Sequence, residues 1–111
     1  MASTQDFVDF VCEQVQGVGE IRSRKMFGEY MVYINDRPIF LVADNTVYVK
    51  KLDCTATMLT QAERGCPYEG AKEHYILNIE DGALSRDVAL AMEAVVPIPK
   101  KRKKKSDTAS D

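Results

Sequence analysis

Between Tyr30 and Lys50 the chain alternates short apolar runs with short polar breaks: Tyr30 to Ile34, then Asn35-Asp36-Arg37, Pro38 to Ala43, Asp44-Asn45, and Thr46 to Lys50. Runs of this length, rich in valine, isoleucine and tyrosine, predict β-strands. Asparagine and aspartate tolerate left-handed backbone and bond to their own main chain, so the breaks predict tight turns between antiparallel neighbours. In the third run Val47 and Val49 alternate with Tyr48 and Lys50, which predicts one covered and one wetter face. The middle run is different, because Ile39, Phe40, Leu41 and Val42 are apolar without a break. Such a strand is covered on both faces, or its second face meets a partner.

On either side of this meander the apolar spacing becomes helical. Phe7, Val11, Val15 and Val18 predict a helix from about Thr4 to Gln16, opened by a capping box of Ser3 with Asp6 and ended at Gly17 or Gly19. Its other flank carries Asp6, Asp9, Glu13 and Gln16 and should face water. Ile21 to Lys25 reads as a connector or a short strand. Gly28 lies between apolar runs, where the missing Cβ permits a bulge or close approach. Asp53 is the expected N-cap of a second helix from Cys54 to Arg64, with Gly65 as its terminator. An extended piece at Tyr68 and a strand from His74 to Glu80 follow. A third helix is expected from Ser85 to Val96, with Val88, Ala91, Met92 and Val95 inward and Pro97 and Pro99 stopping it. Together these elements predict an α+β two-layer domain, an antiparallel sheet with helices on one face.

Composition sets the boundaries of that domain. At 111 residues the chain holds one core, assigned to residues 1–99. From Lys100 to Lys105 the sequence is KKRKKK, six like charges that cannot collapse on themselves, so residues 100–111 are expected to form a disordered tail. Without that block, residues 1–99 hold nine basic against fifteen acidic side chains, a balance of −6. The apolar runs are far shorter than the roughly 18–20 residues a membrane span needs. The acidic N-terminal stretch does not resemble a secretory signal, and the expected location is cytoplasmic.

Chemistry-bearing residues are sparse. Cys12, Cys54 and Cys66 form no CxxC, and His74 is the single histidine, so neither a metal site nor any cofactor is expected. Cys54 and Cys66 flank the expected second helix at roughly 15 Å, too far apart for a disulfide. A thiol enzyme would need Cys66 to meet His74 and an orienting group, and no such set is visible. There is no phosphate-binding glycine loop. The chain therefore reads as non-enzymatic.

The run RKMFG at Arg24 to Gly28, followed by YMVYIND, PIFLVAD and VYVKK, resembles the N-terminal domain of the TfoX/Sxy family of bacterial competence regulators. The likeness extends more weakly through Gly65, Pro67, Tyr68, Tyr75 and the last helix, over roughly residues 5–97. It implies an α-β-β-β-α-β-β-α order similar to that of type III secretion chaperones, and implies no enzymatic activity. In the full regulators a helical domain follows. Here the KKRKKK block stands in that place, so the resemblance is to a stand-alone N-terminal domain. Glu29 departs from the family pattern, which often has a second glycine there.

Function is then expected in contacts. The candidate protein-contact residues are Arg22, Arg24 and Lys25, the one basic cluster on the acidic body, with Met26, Phe27, Gly28 and the strand tyrosines Tyr30, Tyr33 and Tyr48. Tyrosine and methionine are enriched at protein interfaces. The expected partner is another protein, with a second copy of the chain as one candidate and a regulatory or adaptor role linked to competence or transcription. The alternative is weak, sequence-independent nucleic-acid binding through Lys100, Lys101, Arg102, Lys103, Lys104 and Lys105, opposed by the acidity of the body.

Overall fold

A computed structural model describes residues 4–26 and 29–99. The expectations placed on Ser3, Phe27, Gly28 and the tail at 100–111 lie outside the described residues. Among the described residues, three helices and six strands occur in the order α1 (Gln5–Gln14), β1 (Ile21–Met26), β2 (Glu29–Ile34), β3 (Arg37–Ala43), β4 (Thr46–Val49), α2 (Asp53–Met58), β5 (Arg64–Gly65), β6 (His74–Leu77) and α3 (Gly82–Val95). All strand pairs are antiparallel, in the spatial order β1-β2-β3-β4-β6-β5. The α+β architecture is as the pattern predicts. The Ile21 to Lys25 segment, which read as connector or strand, is a full six-residue strand at the sheet edge.

The meander forms because both of its loops can take the left-handed backbone that a two-residue hairpin demands. Asn35 and Asp36 have φ of 52° and 67°, and Asp44 and Asn45 have 52° and 53°. Arg37 belongs to β3 rather than to the turn. Alternate residues of the strands then line one face: Tyr30, Val32 and Ile34 of β2, Phe40 and Val42 of β3, Val47 and Val49 of β4, and Tyr75 and Leu77 of β6 are all buried. Val8, Val11 and Val15 of the first helical segment and Val88, Ala89 and Met92 of α3 cover this face.

The unbroken apolar run in β3 has a local cause. Pairing with β2 jumps from Phe40 opposite Val32 to Pro38 opposite Tyr33, which leaves Ile39 as an extra residue in a bulge. Ile39 and Phe40 are therefore both buried, and of the four only Leu41 remains half exposed.

The helices differ from expectation in detail. The cap of α1 is Thr4, whose Oγ1 accepts the Phe7 N–H at 3.2 Å, and Val8 rather than Phe7 sits at the centre of the buried stripe. Helix α2 is shorter than the predicted Cys54 to Arg64. It begins at Asp53, with Leu52 at the cap position, and ends at Met58. Beyond it the backbone turns to the open edge of β6, where the Ile76 N–H donates to Glu63 C=O at 2.7 Å. Gly65 accordingly sits in β5 instead of terminating a helix, and Tyr68 is an exposed loop residue rather than part of a strand. The ladder offered by β6 outcompetes a helix whose apolar stripe was narrow. Helix α3 starts earlier, with Asp81 accepting the Leu84 N–H. Its inner stripe is Ser85, Val88, Ala89 and Met92, which leaves Val95 58 % exposed and Ala91 only half-buried.

One polar node locks the two layers together. Gly17, at φ 94°, ends the α1 region, and a Cβ on Gly19 would lie 2.5 Å from the Asn35 Nδ2. The glycine lets the chain press against the first hairpin. There Asn35 Oδ1 accepts the Glu20 N–H at 2.9 Å while its Nδ2 donates to Glu93 Oε2 at 3.3 Å. Arg37 adds an ion pair to Glu93 and donates its Nε–H to Val96 C=O, so the last turn of α3 is held by a cation.

Candidate functional site

Among the described residues, no helix lies over the face of the sheet opposite α1 and α3. Cross-strand register sets Arg24, Met31, Leu41, Tyr48 and Ile76 in one row across β1, β2, β3, β4 and β6. A second row holds Arg22, Tyr33 and Pro38. Met31, Leu41, Tyr33, Tyr48 and Ile76 are all partly exposed, and none joins the core packed by the helices. The 66–73 loop borders this face through Tyr68 and Lys72, enclosing with Met31, Leu41 and Tyr48 a shallow basin of about 290 Å³.

The sequence-predicted contact residues are divided by this geometry. Arg22 and Tyr33 lie opposite each other on the open face, with the guanidinium 5.3 Å from the ring centroid and also paired to Asp36 at 3.1 Å. The charge is held over the ring face, where the aromatic quadrupole attracts it. Arg24 shares this face and is exposed. Tyr48 occupies the centre of the long row, edge-on to His74 at 6.4 Å. Lys25 is exposed but points to the other side, opposite Tyr30. Tyr30 itself is 7 % exposed within the helix-covered core, so it does not share a surface with Tyr33 and Tyr48. Met26 ends β1, half-buried opposite Glu29. Phe27 and Gly28, like Lys100 to Lys105, fall outside the described residues.

Met31, Leu41 and Ile76 complete the open row and were not singled out from sequence. Their signal was positional: each alternates with a residue of the buried set, which puts it on the opposite face.

Catalytic groups do not converge anywhere among the described residues. His74 donates its Nδ1–H to Lys72 C=O at 2.7 Å, and no hydrogen bond joins it to the exposed Cys66. Burial, reinforced by the Asp9 charge, pushes the Cys12 thiol above its ordinary range and away from thiolate chemistry. A depression of about 600 Å³ lies on the helix side between Phe7, Met58 and Leu84, and the titratable side chains that line it are Glu63 and Glu80. No group of three or more metal-ligating side chains occurs among the described residues. No helix among them is long and apolar enough to cross a membrane.

Comparison with known proteins agrees with the resemblance carried by the sequence. The family described as "TfoX N-terminal domain" matches residues 13–93. The chain is also 30 % identical over 110 residues to an "Uncharacterized 12.7 kDa protein in trpE 5'region" of Spirochaeta aurantia, covering 97 % of this chain and 96 % of that protein. The matched segment runs from the last two residues of α1 through the whole sheet and almost to the end of α3, and the chain belongs to the TfoX N-terminal domain family.

Proposed function

We propose that this domain is a non-enzymatic regulatory or adaptor module that works by protein contact through the open face of its sheet. The observation that carries this reading is the row of Met31, Leu41, Tyr48 and Ile76, apolar and partly exposed, on a face that no helix among the described residues covers. Aromatic, methionine and arginine side chains around an apolar centre are what protein interfaces enrich. Arg22, stacked on Tyr33, and Arg24 give that centre a basic border on the β1 side. Membership of a family of competence regulators supports linking the contact to competence or transcription regulation.

Sedimentation combined with affinity capture from a bacterial lysate tests the reading. The wild-type chain should retain a protein, or a second copy of itself, that a Leu41→Glu variant of unchanged fold releases. A wild-type chain that sediments as a monomer and retains nothing that Leu41→Glu loses would overturn it. The competing tail reading is separated by truncation after Pro99. Under that reading, truncation abolishes a salt-sensitive nucleic-acid affinity. Under ours, it leaves the protein contact intact.

A further inference from the structure

Strand β1 is one border of the sheet, and no strand among the described residues pairs with its outer side. The phase of its hydrogen bonds follows from one contact, the Asn35 N–H donated to Glu20 C=O at 2.8 Å. In an antiparallel ladder, residues alternate between bonding inward and pointing their backbone groups outward. Arg22 and Arg24 therefore bond to β2, while Ile21, Ser23 and Lys25 direct N–H and C=O away from the sheet. Among the described residues, none of these outward groups has a hydrogen-bond partner.

The side chains along this border are cationic. Arg22, Arg24 and Lys25 are exposed. Arg22 is occupied by Asp36 and Tyr33, whereas Arg24 and Lys25 make no ion pair among the described residues. On a body whose balance over residues 1–99 is −6, this is a local reversal of charge.

The reversal selects between occupants. Two copies joined by their β1 edges, with Ser23 opposite Ser23, would set Arg22 of each copy opposite Arg24 of the other. Like charges directly opposite in a ladder are destabilising. Cationic edge residues guard against such self-pairing, and the same residues attract a strand of opposite sign. The far border offers no equivalent site, because β5 spans only Arg64–Gly65.

Building on the reading of the domain as a protein-contact module, we propose that the outer edge of β1 accepts an acidic extended segment of a partner protein as a further strand. Its backbone pairs with Ile21, Ser23 and Lys25. Acidic side chains at alternate positions face Arg22 and Arg24 on the open side, and one on the opposite side meets Lys25. Main-chain bonds supply affinity in such strand addition, and the side chains supply choice of partner.

A blocked peptide alternating glutamate with valine, and its lysine–valine counterpart, test this directly by amide hydrogen exchange and NMR titration of the whole chain. The acidic peptide should slow exchange at the Ser23 and Lys25 amides, and the basic one should not. Arg22→Ala and Arg24→Ala should each weaken binding by about two- to fivefold, the value of one cross-strand charge pair. Ser23→Pro removes an outward N–H at a position where an edge strand tolerates proline, and should weaken it by at least about tenfold. Arg24→Glu, which alters only an exposed side chain, should shift preference towards the lysine peptide. Unchanged exchange at Ser23 and Lys25, or equal acidic-peptide affinity in Arg24→Glu, would overturn the proposal. Perturbation confined to Leu41 and Tyr48 would overturn the edge site and leave the contact-module reading standing. Edge binding together with a partner contact indifferent to Leu41→Glu would do the reverse.

Discussion

The two faces of the sheet are built from alternate residues of the same strands, and both carry large apolar side chains. Phe40 and Val42 are fully buried beneath the helices, while Leu41 between them is half exposed on the other side. Met31 lies between buried Tyr30 and Val32 in the same way, and Ile76 between Tyr75 and Leu77. An antiparallel sheet with one solvated face normally alternates apolar with polar residues. Here the second face keeps an apolar centre of Met31, Leu41, Tyr48 and Ile76 that no helix among the described residues covers. The two faces therefore differ in what covers them as well as in the basic border that only the open one carries. Stability resides on one face, and the other is the surface we propose for contact.

The sharpest way to break that comparison is to truncate neighbours. Phe40→Ala should destabilise the domain by about 3–5 kcal/mol, because it opens a cavity among fully buried side chains. Leu41→Ala should cost less, about 1–2 kcal/mol, since its side chain is only partly buried. Urea unfolding of both variants measures the difference through the midpoint. Equal losses would show that the open face is a core in its own right and would remove the basis for a contact surface there.

The meander was legible in the sequence because turn chemistry and alternation agreed. Asn35-Asp36 and Asp44-Asn45 fix hairpin registers locally, and Val47 to Lys50 reveals its faces by parity alone. The bulge at Ile39 was not legible, since a run of four apolar residues looks the same whether two faces are covered or one residue is extra. The end of α2 was missed for a different reason. Its fate depends on a β6 edge some ten residues later in the chain, and no local propensity reports that competition. For the candidate site, the tyrosines were visible but their faces were not. Tyr30 sits in the core and Tyr33 outside it because of strand parity, which shifts with a single residue of register. Met31, Leu41 and Ile76 carry no polar atom to draw attention, so only the assembled sheet groups them.

A smaller effect is expected where the covered layer is tied to the hairpin. Asn35→Gly preserves the positive φ of the turn and removes only the side chain. The Glu20 N–H and Glu93 carboxylate each then lose a partner. A loss of about 1–2 kcal/mol is expected, the scale of one or two partly buried hydrogen bonds. The same urea midpoint checks it, and an unchanged midpoint would show that backbone conformation alone makes the turn. Because this node lies between sheet and α3, the variant should leave amide exchange at Leu41 and Tyr48 on the open face close to wild type.

The smallest expected effect lies where β4 and β6 end. Lys51 follows β4 and Glu73 precedes β6, and their side chains form an ion pair across these neighbouring strands. The hydrogen bond from Lys51, then its charge, and more weakly the charge of Arg64, hold the Glu73 carboxyl below the usual carboxylate range. A carboxyl depressed by folding stabilises the native state fully above its unfolded pKa, and that contribution is lost as pH falls through the lowered folded value. Lys51→Gln should therefore move the Glu73 titration up towards the ordinary range and flatten the acid dependence of stability there, both measurable by side-chain NMR titration. The side chains are 36 % and 52 % exposed, so salt should shrink the shift in the wild type and do little in the variant. Glu73 titrating at the same pH in both proteins would mean that the clasp does not form in solution. The 66–73 loop would then be free at its β6 end, and the basin it encloses beside Tyr48 would be a wider opening than the structure draws.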